Sequence, residues 1–357
     1  MIDSLIDPCL SHSRSFGARV AVHDRYERSA SLSTEKRVLA RLQRRTMALL
    51  AVTAILWWSL MSNAGHPIWA WTGATLVGLG YCLILAVEFT LLAVLHGDDP
   101  TPRAGLRALV RAWWEECRIA LLVFGWRQPF RSDAVPDSPG RPGVRGIVFV
   151  HGYVCNRGLW LPWLDRCRSE GRPCLAVNLE PVFSPLDAYV PQLERAIGQM
   201  EAQTGRRPVL VCHSMGGLVA RAWMAATPYA DDRIARVITI GTPHRGTWLA
   251  RFSRTANSLH MRQACAWLSG LAEREPPRRA RRFTCFYGHA DNIVFPPGAA
   301  VLPGSTPRHL PGTAHVAMAF HPEVYREVFH WADAAGVDAD QQPAPDSVRP
   351  RATPSRG

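Results

Sequence analysis

Two long apolar runs between Thr46 and Leu95 constrain this chain more than any other feature of its sequence. The first extends from Thr46 to about Ala64. The second extends from about Ile68 to Leu95, with Glu88 as its only charged residue. At a rise of about 1.5 Å per residue, each can cross a hydrocarbon core of roughly 30 Å as a helix. Hydrocarbon offers no partner for an exposed peptide group, so such runs must be helical. The connector, Ser62 to Pro67, holds no Lys or Arg. Arg37, Arg41, Arg44 and Arg45 precede the pair, and Arg103, Arg107 and Arg111 follow it. The positive-inside rule therefore predicts a hairpin with both outer ends in the cytoplasm, in a bacterial-type inner membrane. Two buried helices of a soluble protein are the alternative. Ser62-Asn63-Ala64 resembles a small-residue cleavage site, although the preceding leader is longer and more charged than an ordinary secretory signal. Glu88 reads either as a functional intramembrane carboxylate or as a residue near the interface, about seven positions from the end of its run.

The chain of 357 residues is 47% hydrophobic, enough for a packed core beside the hairpin. Lys+Arg 41 against Asp+Glu 29 leaves a net charge of +12, nearly all of it arginine, since Lys36 is the only lysine. No helix-turn-helix, zinc-finger or aromatic-rich RNA-binding pattern accompanies this charge, so nucleic acid is not an expected partner. Arginines flanking apolar segments suit anionic lipid head groups instead. Nine cysteines, an odd number without a C-x-x-C pair, argue against a disulfide framework and a zinc site. Reduced, buried thiols are expected, and neither a metal nor an organic cofactor is implied.

The pattern divides the chain into a charged leader (1–45), the hairpin (46–97), an amphipathic segment and linker (98–144), an α/β domain (145–336) and a tail (337–357) expected to be disordered. The leader is predicted to hold a helix from about Thr34 to Arg45. Within the amphipathic segment, Leu106, Leu109, Val110, Trp113 and Trp114 interleave with Arg107 and Arg111. It reads equally as a helix in the membrane interface or one packed on the α/β domain.

From about Arg145 onward, short continuous apolar runs mark strands buried on both faces. They are Gly146–Val150, Cys174–Asn178, Pro208–Cys212, Val237–Ile240 and Phe283–Tyr287. Helical patterns separate them at about Leu186–Glu201, Gly216–Ala226 and Pro322–Ala335. Such alternation predicts a mostly parallel sheet with helices on both faces.

One strand runs through Val211-Cys212-His213-Ser214-Met215-Gly216-Gly217 directly into a helix, the setting of a nucleophile elbow. The usual pattern is G-x-S-x-G; Cys212 stands at the first glycine position and is small enough for the turn. Downstream, Asp291 follows the Phe283–Tyr287 strand and His315 lies in the loop before the last helix, giving the order Ser, acid, His. A neutral serine hydroxyl is a poor nucleophile, so an imidazole at His315 would take its proton and Asp291 would fix the imidazole's tautomer. Glu180 and Asp187 are weaker acid candidates, and His289, His321 and His330 compete with His315. The His151-Gly152-Tyr153 turn after the first strand would supply the Tyr153 N–H to an oxyanion, paired with the Met215 N–H after the nucleophile. His213 and His151 read as structural. His244 and Arg245 are tentative substrate contacts.

Together, His151-Gly152-Tyr153, the Cys212–Gly217 elbow, Gly241-Thr242-Pro243-His244-Arg245-Gly246 and the Asp291 and His315 loops resemble bacterial triacylglycerol lipases and related esterases of the α/β-hydrolase fold. The resemblance covers about residues 145–335 and leaves the hairpin outside. It implies an α/β-hydrolase fold there, with Ser214, Asp291 and His315 catalytic, and a lipid or other ester as substrate, cleaved through an acyl-enzyme. With the two transmembrane helices that hydropathy predicts before it, the expected fold is an α/β-hydrolase preceded by a membrane hairpin, with membrane lipids as neighbours. An acyltransferase using the same triad, or a non-catalytic membrane-interaction module with a degenerate hydrolase domain, are the rival functions. The insertion at 247–282 is too long for a plain connection. Lid-like insertions suit the family, so it is expected to be a lid over an acyl pocket; a fixed helical insertion is the alternative.

Overall fold

The computed structural model describes residues 38–334. Most of the leader, including the start of the helix expected from Thr34, and the tail at 337–357 lie outside the described residues. Helix α1 (Val38–Asn63) and helix α2 (Pro67–Val94) follow the two apolar runs, and each is long and apolar enough to cross a membrane. Gly65, at φ +78°, makes the turn between them, and Pro67 opens α2, where a missing N–H costs nothing. Most of their large side chains face outward; Leu49, Leu56, Ile68 and Ile84 are exposed.

Helix α3 (Leu106–Leu122) spans the amphipathic segment. One face buries Ala112, Glu116 and Cys117. The other leaves Leu106, Val110, Trp114 and Leu121 exposed. Trp113 Nε1 donates to the Cys82 carbonyl of α2 at 2.8 Å, and Tyr81 Oη donates to the Cys117 carbonyl at 3.0 Å. A π-helical turn (Val123–Arg127) and a short turn (Gln128–Arg131) carry the chain on, and Gln43 of α1 donates to Gln128 Oε1 at 2.8 Å.

The rest is a six-stranded parallel sheet. In chain order come β1 (Ile147–Val150), α4 (Leu161–Ser169), β2 (Cys174–Val177), α5 (Val190–Thr204), β3 (Val209–His213), α6 (Met215–Ala226), β4 (Arg236–Ile240), β5 (Phe283–Tyr287), β6 (Thr306–His309) and α7 (Pro322–Asp333). The spatial order is β2-β1-β3-β4-β5-β6. Successive strand residues point to opposite faces, which sorts the apolar runs into two cores. Val148, Val150, Leu210 and Cys212 pack with Leu193 and Ile197 of α5 and Leu218 and Trp223 of α6. Ile147, Phe149, Val209 and Val211 pack with Trp163 and Leu164 of α4 and Val324 and Phe329 of α7. The eight described cysteines are free, and six of them are buried.

The 247–282 segment forms short helical pieces (Trp248–Phe252, Ala256–His260, Ala266–Glu273, Pro277–Arg282). Met261 and Leu268 join the core beside α6, and Trp267 Nε1 donates to Asp187 at 2.7 Å.

Candidate active site

The strand order reverses direction between β1 and β3, and a crevice opens outside the carboxyl ends of strands at such a switch point. The chain puts His151-Gly152-Tyr153 on one side of this crevice and Ser214 on the other. Ser214 sits between β3 and α6 at φ +53°, ψ −126°, a conformation that is strained for any residue with a Cβ. Its surroundings hold it there. Its N–H donates to the Ile240 carbonyl at 2.8 Å, and its carbonyl accepts from Thr242 Oγ1 at 2.8 Å. The turn requires backbone-to-backbone approach: a Cβ on Gly216 would lie 2.6 Å from the Val150 carbonyl oxygen, and one on Gly152 would lie 2.8 Å from Ser214 Cβ.

Asp291 follows β5, and His315 opens a single helical turn after β6. The structure brings them together: His315 Nδ1 donates to Asp291 Oδ1 at 2.9 Å, with Oδ2 at 3.1 Å. Asp291 is 1% exposed, and its Oδ1 also accepts from the backbone N–H groups of Ile293 at 2.9 Å and Val294 at 2.8 Å. Burial alone would lower the His315 pKa. The charge and hydrogen bond of Asp291, reinforced by Glu116 and Glu88, outweigh it and raise the value above the usual 6.5. With Nδ1 committed as donor, Nε2 is left to accept a proton. Ser214 and His315 line one cavity; no hydrogen bond joins them among the described residues, a contact that commonly tightens only when substrate seats.

Two neighbouring histidines shape the loops. His213 Nε2 donates to the His315 carbonyl at 3.1 Å; burial, then the charge of His315, depress its pKa to about 3. His151 Nδ1 donates to the Gly152 carbonyl at 2.9 Å and its Nε2 accepts from the Leu179 N–H at 3.0 Å. Burial lowers its pKa to about 4, so this ring is neutral and ties the His-Gly turn to the end of β2. Tyr153 borders the cavity, and the Met215 N–H, in the first turn of α6, has no intrahelical acceptor.

Two carboxylates support the His315 turn from outside the α/β domain, and sequence reasoning gave neither this role. Glu116 of α3 is 1% exposed and accepts from the backbone N–H groups of Val316 at 2.9 Å and Ala317 at 3.2 Å. Burial pushes its pKa up to about 7 against the pull of those bonds and of His315. Glu88 of α2 accepts from Asn292 Nδ2 at 2.7 Å, and Asn292 Oδ1 accepts from the His315 N–H at 3.3 Å. The available signal for Glu116 was its place on the inward face of an amphipathic helix, four residues after Ala112.

Other expected residues lie elsewhere. His244 is buried with Nε2 3.1 Å from Thr239 Oγ1, and Arg245 Nη2 donates to the Gly298 carbonyl; both border a separate cavity of about 500 Å³. The structure therefore does not bring His244 and Arg245 to Ser214, because β4 turns them toward α6 and the 247–282 segment. Asp187 is engaged with Trp267. His289 Nε2 accepts from the Gly312 N–H, and His321 Nδ1 caps α7 by accepting from the Glu323 N–H.

The cavity holding Ser214 and His315 has a volume of about 470 Å³. Its walls come from α1, α2 and α3 as well as from the sheet's carboxyl edge. Among the described residues, the 247–282 segment contributes nothing to them. The segment instead touches the two oxyanion candidates: the Ser253 and Thr255 hydroxyls lie 3.2 and 3.0 Å from Tyr153 Oη, and Asn257 Nδ2 lies 3.6 Å from Met215 Sδ.

A family model described as a PGAP1-like alpha/beta domain matches residues 186–326. Solved structures with a similar path include the mature Bacillus licheniformis lipase BlEst2, at 18% identity and TM-score 0.48, covering 55% of this chain and 95% of that one. Aspergillus fumigatus lipase B matches at 16% identity and TM-score 0.46, covering 56% of this chain and 54% of that one. Paleococcus ferrophilus monoacylglycerol lipase matches at 15% identity and TM-score 0.41, covering 54% of this chain and 95% of that one. The parallel sheet, its switch point and the strained strand–serine–helix turn, with a PGAP1-like match over the later strands, make this an α/β-hydrolase fold preceded by two long apolar helices.

Proposed function

We propose that the chain is a membrane-tethered serine hydrolase that cleaves carboxylic esters of lipids through an acyl-enzyme. The observation that carries this reading is the buried Asp291–His315 pair facing the same cavity as Ser214 at its strained turn. In this mechanism Ser214 Oγ attacks the ester carbonyl while its proton passes to His315 Nε2. The tetrahedral oxyanion is held by the N–H groups of Tyr153 and Met215. As the C–O bond to the alcohol breaks, His315 returns the proton to the departing oxygen. Water then attacks the acyl-serine by the same relay and releases the acid. Asp291 stabilises the imidazolium in both halves. The α1–α2 hairpin lies in an inner membrane, with the α/β domain on the cytoplasmic side.

The test is fluorophosphonate labelling of the full chain together with p-nitrophenyl ester hydrolysis. Ser214 displaces fluoride and becomes phosphonylated. The Ser214→Ala variant is expected to lose both the adduct and ester turnover while unfolding at the native temperature. An adduct that persists in Ser214→Ala, or none in the native chain, removes the proposal.

A further inference from the structure

The cavity around Ser214 does not stop at the sheet's edge. It continues between Met47 and Leu50 of α1, Gly78 and Ile84 of α2, and Leu121 of α3, with Phe124 beyond α3. We infer that this space is the acyl-binding site, so the helices read as an anchor are also a wall of the active site. The substrate class is accordingly a long-chain carboxylic ester that remains in the bilayer during cleavage. This rests on Ser214 being the nucleophile.

Three observations carry it. The first is depth. Met47 and Leu50 follow Arg44 and Arg45 directly, and arginines at the start of a membrane helix sit at head-group level. The lining residues on α1 therefore lie just below that level. The antiparallel hairpin sets the stretch from Gly78 to Leu85 beside them. Gly78 to Glu88 covers about 15 Å of helix, running from the apolar depth back toward Ser214. The second is chemistry. The polar groups Ser214, His315, Asn292, Glu88 and Glu116 line the cavity beside the catalytic loops, while the rest of the helix lining is apolar side chain and glycine apart from Tyr81, whose hydroxyl is taken up by the Cys117 carbonyl. A reacting ester group belongs beside the former and a hydrocarbon chain along the latter. The third is attachment. The wall is bonded to the catalytic loops, through Glu88 to Asn292 and through Glu116 to Val316 and Ala317. Phe89 and Leu92 of α2 pack against Ala290, Ala314 and Ala317. A tether alone would need none of these contacts.

Gly78 provides the probe, because a Cβ there meets nothing within 4 Å although the residue borders the cavity. The experiment uses the full chain in phospholipid vesicles and two fluorophosphonates with the same reactive group, one carrying an ethyl and one a hexadecyl chain. The quantity read is the ratio of their rates of Ser214 phosphonylation. The native protein is expected to favour hexadecyl. Gly78→Phe and Leu50→Trp are each expected to lower the hexadecyl-to-ethyl ratio by about tenfold or more. Gly80→Phe, equally free of contacts but outside the cavity, is expected to keep the native ratio. Ethyl-probe labelling reports folding in every variant. A native ratio in both Gly78→Phe and Leu50→Trp, with ethyl labelling intact, overturns the acyl site and leaves the hydrolase standing. Failure of the hexadecyl probe alone to modify Ser214 in the native chain overturns the acyl site, and failure of both probes overturns the hydrolase as well.

Discussion

Asp291→Asn separates a catalytic carboxylate from a merely structural one, and its outcome follows from the bonds Asp291 makes. Oδ1 accepts from the backbone N–H groups of Ile293 and Val294, which only an oxygen can satisfy. An asparagine at this position keeps its oxygen there and must present its NH₂ where Oδ2 stood, facing His315. The amide hydrogens then oppose the Nδ1 proton from the 3.1 Å position, while the oxygen 2.9 Å away is already shared by two backbone donors, so the imidazole favours the tautomer with its proton on Nε2, toward Ser214. The ring is then the wrong tautomer to accept a proton from the serine. In a serine protease the equivalent exchange lowers kcat by about 10⁴, or roughly 5.5 kcal/mol of transition-state stabilisation. A loss of that order is expected here. The fold is expected to hold, since both backbone bonds survive. The pH profile moves as well. With the carboxylate gone, burial is opposed only by Glu116 and Glu88, and the ascending limb of residual activity shifts to lower pH than in the native protein. The assay is kcat/KM for p-nitrophenyl butyrate from pH 5 to 9 on detergent-solubilised full chain, with thermal unfolding alongside. Retention of more than a tenth of native kcat/KM would refute the argument.

Further outcomes follow from other contacts. In the native protein, His315 must be neutral to act as base, so kcat/KM is expected to rise with pH through a value above 6.5; a midpoint below it contradicts the Asp291 interaction. Glu116 keeps its proton in the folded chain up to about pH 7, whereas an unfolded chain releases it near 4.5, so its contribution makes stability fall as pH climbs between those values. Glu116→Gln is expected to flatten that decline in thermal unfolding at pH 5 and 7.5; an unchanged slope counts against it. Gly216→Ala forces a Cβ to within 2.6 Å of the Val150 carbonyl oxygen and is expected to cost about 1–3 kcal/mol, seen as a drop of several degrees in Tm. Reporter fusions placed after Asp99 are expected to read cytoplasmic, and a periplasmic signal would reverse the proposed topology.

The strands that build the site were visible in sequence because parallel strands are buried on both faces and show as unbroken apolar runs. Those centred on Phe149, Ala176, Val211, Ile238 and Cys285 all fall within a residue or two of their expected limits. Strand β6 was not visible. Thr306-Pro307-Arg308-His309 is an edge strand with partly exposed side chains, so neither apolar content nor alternation marks it, and a proline is tolerated where one side needs no partner. Helix α4 escaped notice for a related reason. Its nine residues carry two arginines and an aspartate on the outer face, too short a span for periodicity to stand out.

The larger omission was relational rather than local. Periodicity identifies which face of α3 is apolar but not what that face meets, and a hydropathy run gives a helix's length but not its neighbours. Glu88 reads as a lone charge within an apolar run, and Glu116 does not stand out in its amphipathic stretch at all. Their shared target, the turn that begins at His315, lies about 200 residues further along the chain. A buried carboxylate is costly unless donors meet it, and here the donors are backbone N–H groups at the start of the His315 turn and the amide of Asn292. These bonds tie α2 and α3 to the catalytic edge. That docking leaves the apolar gap between α1, α2 and Ser214. The cavity thus lies between parts of the chain joined through two carboxylates, which no single segment of the sequence records.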